Sequence, residues 1–173
     1  MKITLELLGD TNNDVVNKLR GKLKSIFHCL VEVKTGFNYL AHAYNPERRQ
    51  YLSSDLLASL NAIPREREEK IVGIVDVDLY TPRLNFIFGE ADINSGTVIV
   101  SLNRLRQEFY GLPADEKLFM ARATKEIVHE VGHTFGLEHC SNMKCVMHFS
   151  NSLADTDWKE ANFCDKCRPQ LRI

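Results

Sequence analysis

The sequence predicts a mixed α/β (α+β) fold, and three stretches carry that expectation. Residues 2–8, 14–29 and 31–33 read as strand, helix, strand, a run of the length that makes a right-handed parallel crossover. Residues 71–77, from Ile71 to Val77, are nearly continuous apolar, as a strand covered on both faces must be. Residues 115–135 form the longest helical pattern, with Leu118, Phe119, Ala121, Ile127, Val128, Val131 and Phe135 giving a broad apolar face.

In chain order, Ile3, Leu5 and Leu7 alternate with polar residues and define the first strand. Gly9 to Asn13 is turn chemistry, and Asn13 or Asp14 can cap the helix that follows. Val15, Leu19, Leu23, Ile26 and Leu30 recur at helical steps, and Cys29 at that helix end reads as an inert packed thiol. Residues 36–50 read as a loop or a short strand, with Asn45 and Pro46 marking a turn. Ser53 or Ser54 is expected to cap a short helix through Asn61, ended by Pro64, and the charges from Arg65 to Lys70 read as a solvated connection. After Tyr80, Thr81 and Pro82, residues 85–89 form a short strand ending in a glycine, the pattern of a sheet edge to which an extended peptide could add. Asn94 to Gly96 is a turn and 97–102 a further strand. Beyond Gly136 the periodicity fades, cysteines appear, and Thr156 or Asp157 is expected to cap a last short helix containing Trp158.

The chain has 173 residues, 44% hydrophobic and 26% charged, which suits one globular domain with a sizeable core. A net charge of -1, with no basic patch interleaved with aromatics, argues against nucleic acid as a partner. No apolar run approaches transmembrane length, so no membrane association is expected. Met1 to Leu8 reads as a strand rather than a signal peptide, so the chain is expected to be cytoplasmic, and a monomer. Five cysteines, an odd number in such a setting, argue for metal binding over a disulfide framework.

The chemistry concentrates between His129 and His139. His129 and His133 are four residues apart, so on a helix both imidazoles share one face and can hold one cation. Glu130 then projects beside the metal. Gly136 can stop the helix with positive φ and let the chain bring back His139 as a third ligand. Three neutral imidazoles leave a tetrahedral zinc with one open position, the layout of a catalytic site.

Residues 129–167 resemble the metzincin metallopeptidases and, among them, the archaemetzincins. The long histidine run is followed by Met147, eight residues after His139, where metzincins place a methionine in a tight turn. Cys140 directly after the third histidine, Cys145 five residues on, and the terminal Cys164 and Cys167 match the archaemetzincin refinement. The resemblance implies a metzincin-like zincin fold: a twisted, mostly parallel five-stranded sheet with an antiparallel edge strand, an active-site helix, and a small irregular C-terminal subdomain. One catalytic domain, 1–173, would divide into an upper part through 136 and a lower part, 137–173, with residues 85–89 as the substrate-lining edge. It implies two Zn2+ ions: a catalytic one on His129, His133 and His139, and a structural one closed by Cys140, Cys145, Cys164 and Cys167. Glu130 would be the general base that hydrolyses a peptide or protein substrate, and Met147 an apolar floor beneath the metal. Phe149 stands where astacin-like metzincins carry a tyrosine, so no phenol reaches the zinc from there. His148 reads as a solvent-facing turn residue. The alternative function is a catalytically weak zinc-binding protein that recognises a peptide or protein partner. An intact Glu130 favours the enzyme. Substrate preference, and endopeptidase against aminopeptidase action, are open at this level.

Overall fold

The computed structural model describes residues 1–37 and 40–171. Its main sheet has five strands: β1 (Lys2–Leu8), β2 (Leu30–Phe37), β5 (Glu69–Val75), β8 (Gly89–Asp92) and β9 (Thr97–Ser101), in the order β2-β1-β5-β9-β8. All neighbours are parallel except β8, which runs antiparallel to β9 at the edge. A second, smaller sheet holds β3 (Tyr44–Asn45), β4 (Gln50–Leu52), β6 (Leu79–Thr81) and β7 (Leu84–Ile87).

The crossover expected at the N-terminus is present, with α1 (Asn13–Phe27) joining parallel β1 and β2. Its cap is Asn12, whose side chain accepts from the Asp14 and Val15 N–H groups, one position before the expected candidates. The helix ends at His28, whose φ of 50° is left-handed, so Cys29 and Leu30 lie beyond it. β2 is also longer than 31–33, because the full length of β1 offers it partners from Lys2↔Leu30 to Leu8↔Phe37. Tertiary pairing of this kind is invisible to a local pattern.

Three other expectations are corrected. Ser53 is the first residue of α2 (Ser53–Asn61) rather than its cap, and its hydroxyl instead donates to the Tyr80 carbonyl at 3.1 Å and to Glu90. The charged run before residue 71 is partly structural: β5 begins at Glu69, which is buried and accepts from Thr4, while Arg65 donates to the Ser95 carbonyl and Thr97. Residues 85–89 are not one strand. Leu84–Ile87 pairs with β6 in the small sheet, Phe88 turns its side chain into the main core, and the main-sheet edge starts at Gly89.

The core positions the site. On one face of the main sheet α1 and α3 (Glu116–His133) pack through Leu19, Leu23, Phe27, Ile127, Val128 and Val131; on the other face α2 packs through Leu56 and Leu60 against Ile71 and Ile99. Burying each such side chain is worth roughly 1.5–3 kcal/mol. Asp115 caps α3, accepting from the Leu118 N–H at 2.9 Å. After Gly136 the chain is mostly irregular but still feeds Val146, Met147, Phe163 and Leu171 into the main core. The last helix, α4 (Leu153–Trp158), starts earlier than expected. Ser152 caps it through a reciprocal box with Asp155, and Thr156 is a buried helical residue. Among the described residues, no helix is long and apolar enough to cross a membrane.

Candidate metal centres

His129 and His133 occupy the last two turns of α3, and Gly136, with φ of 83°, turns the chain so that His139 faces them. One ring nitrogen of each helical imidazole is fixed by a main-chain carbonyl. The His129 Nδ1–H donates to Val146 O at 2.8 Å and the His133 Nδ1–H to Leu137 O at 2.7 Å. A carbonyl can only accept, so both rings carry their proton on Nδ1 and present Nε2 lone pairs. Those two Nε2 atoms lie 3.1 Å apart. Two acceptors that close repel unless a cation lies between them, and the nearest donor atoms of all three histidines fall within 4.8 Å of one another. The donor set therefore fits a zinc ion. Burial lowers the pKa of all three imidazoles, which keeps them neutral and able to ligate.

Met147 is fully buried and packs against the active-site helix at Gly132. It reaches the helix because residue 132 is glycine: a Cβ there would collide with the Met147 Sδ and stand 3.0 Å from Phe163. Sequence reasoning assigned Gly132 nothing, although its place between two histidine turns was the available signal. Phe149 packs its ring against His139 in a tilted contact, centroids 4.7 Å apart at 47°. His148 is half-buried rather than solvent-facing. Its Nδ1–H donates to the Cys140 carbonyl at 2.9 Å, a pairing that its sequence neighbours could not reveal.

Glu130 is 7% exposed and lies against the edge strand. Gly89 makes that approach possible, since a Cβ there would sit 2.7 Å from the Glu130 Cγ. Burial, with Glu126 adding to it, pushes the Glu130 carboxyl up to about 8, against an opposing pull from Lys159. Lys159 is itself fully buried. It forms an ion pair with Glu126 at 3.0 Å and donates to the His148 carbonyl at 3.3 Å, tying the segment below the cleft to the active-site helix. Neither Glu126 nor Lys159 stands out in sequence. The cleft itself encloses about 420 Å³ between β7 and β8 on one side and α3 and residues 149–151 on the other, with Glu130 and all three histidines in its wall.

The four C-terminal cysteines also converge, their Sγ atoms within 4.8 Å of one another. Cys140 and Cys164 are 3.8 Å apart, far beyond a disulfide at about 2.05 Å, and all four thiols are free. Backbone N–H groups point at sulfur: Cys164 donates to the Cys145 Sγ at 3.4 Å and Asn142 to the Cys140 Sγ at 3.5 Å. The Cys167 N–H, followed by that of Lys166, brings the Cys164 thiol down to about 6, while burial raises Cys145 and Cys167. Four sulfurs with one already inclined to ionise fit a tetrahedral zinc. Cys29 takes no part; half-buried against the core, its thiol is raised by burial.

An antiparallel edge strand running past two helical imidazoles, with a third returned by a glycine turn to face them, defines a class: the zinc metallopeptidases of metzincin-like fold. Within it, the chain belongs to peptidase family M54, whose family model matches residues 5–173. It is similar to the archaemetzincin of Methanocaldococcus jannaschii, 40% identical over 172 residues, covering 99% of this chain and 93% of that protein. Among solved structures, it matches a zinc-dependent peptidase from Methanocorpusculum labreanum with a TM-score of 0.90 and 31% identity, covering 98% of this chain and all of that one. The archaemetzincin of Archaeoglobus fulgidus matches with a TM-score of 0.85 and 37% identity over 99% of this chain and all of that one.

Proposed function

We propose that this chain hydrolyses peptide bonds with a catalytic zinc on His129, His133 and His139 and with Glu130 as general base, while a second, structural zinc is held by Cys140, Cys145, Cys164 and Cys167. The observation that carries the reading is the pair of facing Nε2 lone pairs 3.1 Å apart with the Glu130 carboxylate in the same cleft wall. Zinc in that position supplies Lewis-acid chemistry, polarising the scissile carbonyl and acidifying a water. The rest falls to the chain. The exposed edge of β8 holds the substrate extended by main-chain hydrogen bonds. Glu130 takes the proton of the attacking water and delivers it to the departing amine. Burial raises its pKa in the metal-free site, and a zinc ion beside it would favour the ionised form that accepts the proton. The carbonyls of Val146 and Leu137 hold the imidazoles in the ligating tautomer. In this one catalytic domain the part through residue 136 supplies β7, β8 and α3 to the cleft, and the part after it supplies His139, residues 149–151 and the Met147 floor.

Glu130→Gln should retain zinc at the histidines and lose roughly a thousandfold in kcat. Wild-type turnover by that variant, measured on a peptide library with a chelator control, would remove Glu130 from the mechanism. A wild-type protein that loads zinc yet cleaves nothing would make the chain a peptide-binding protein instead.

A further inference from the structure

The cleft does not end at the histidines. Phe86 and Asn151, which line it, also line a second concavity of about 520 Å³. Its lip is made by the short turn Gln107–Tyr110, which ends on Gly111 with φ of 73° and leaves Tyr110 45% and Leu112 54% exposed. Phe109, 43% exposed, packs its ring 5.0 Å from that of Tyr110. Three large apolar side chains, each about half exposed on the turn and just past it, signal a surface that something covers.

The groove's two guanidinium groups are already committed. Arg104 is paired with Asp78 through bonds of 2.6 and 2.7 Å and lies over the Phe86 ring at 4.3 Å. Arg122 is paired with Asp157 through bonds of 2.7 and 2.6 Å and also donates to Leu105 O at 3.1 Å. With their charges met, these groups do not call for an anion, and the stacked arginine adds a flat, weakly hydrated face to the apolar wall. Leu153 and Phe86, both partly buried, complete it.

We infer that this groove is a distal substrate subsite, which takes a large apolar side chain, aliphatic or aromatic, from the same extended peptide whose scissile bond lies over the histidines. The inference rests on the peptidase reading. It commits to that occupant because the groove adjoins the cleft, with Phe86 and Asn151 in the walls of both, so an extended chain that continues past those residues reaches the groove.

The test uses dodecapeptide mixtures in which one position at a time is fixed as Leu, Phe, Ser or Arg. With the zinc-loaded wild-type chain, one position away from the cleaved bond should favour Leu or Phe over Ser by about tenfold in kcat/KM, mostly through KM. The double substitution Tyr110→Ser, Leu112→Ser should reduce that ratio to near unity, and Leu112→Met should keep it. Preference that persists in the double variant, or that is absent from every distal position, overturns the inference. Binding of fluorescein-labelled dodecapeptides to the zinc-loaded Glu130→Gln chain decides the same question without turnover. Apolar selectivity lost in the double variant supports the groove, and equal binding of Leu and Ser peptides overturns it. If the wild type cleaves nothing but this selectivity is present, the peptidase reading fails and the groove stands.

Discussion

The three-histidine and four-cysteine clusters adjoin at a single peptide bond, between His139 and Cys140, yet they are built in opposite ways. Two of the histidines come from one well-packed helix, and their tautomers are fixed by carbonyls before any ion arrives. The cysteines come from irregular chain, with N–H groups pointing at sulfur and with only Cys145 and Cys167 of the four fully in the core. The histidine cluster opens into a cleft and supplies three donors. The cysteine cluster supplies four and has no open position to offer. A helix can preform a site, whereas a loop region gains more order from an ion. On the proposal made above, the His139 side of the first site is the part that would depend on the second.

The strongest way to break this contrast is Cys164→Ser. Residues 137–171 should loosen, seen as faster amide exchange there with α3 unchanged, and zinc affinity at the histidines should fall by roughly ten- to a hundredfold. Unchanged affinity would show the sites to be independent. Of comparable size is a pH effect in the metal-free protein. Glu130 has a folded pKa of about 8 against an ordinary 4.5. A carboxyl raised in this way favours folding while protonated and costs stability as pH rises between those values. Metal-free Glu130→Gln should therefore gain stability over metal-free wild type from pH 5 to pH 8, by a few kcal/mol in denaturant titrations, and a pH-independent difference would contradict the burial argument. Gly132→Ala should cost about 1–3 kcal/mol by forcing Met147 off the helix, with cysteine-bound metal retained. Smallest is His148→Ala, which removes the hydrogen bond to the Cys140 carbonyl at the joint. About 1 kcal/mol is expected, shared between the two metal affinities rather than confined to one.

The candidate histidine ligands were legible because metal chemistry restricts residue type and spacing at once. His129, His133 and His139 needed no tertiary knowledge beyond one helix and one turn, whereas the set of four cysteines was legible only with the family resemblance beside their spacing. The parallel sheet was legible where apolar runs such as 71–77 repeated the signal. What stayed hidden depends on contacts distant in sequence. β2 is lengthened by β1, and the edge strand is displaced to Gly89 because Phe88 goes into the core. Glu126 and Lys159 become a buried pair only once α4 is docked on α3. Gly89 and Gly132 looked like ordinary glycines because what they make room for, Glu130 and Met147, lies on other elements in one case and across a long loop in the other.

The three imidazoles differ in depth. His129 is 4% exposed, His133 is partly covered, and His139 faces solvent. Ion exchange at a zinc held this way would be directional: a chelator would meet the outermost ligand first, and release would begin with the loop rather than the helix. Phe149, tilted against the His139 ring, would then slow metal loss without touching the metal.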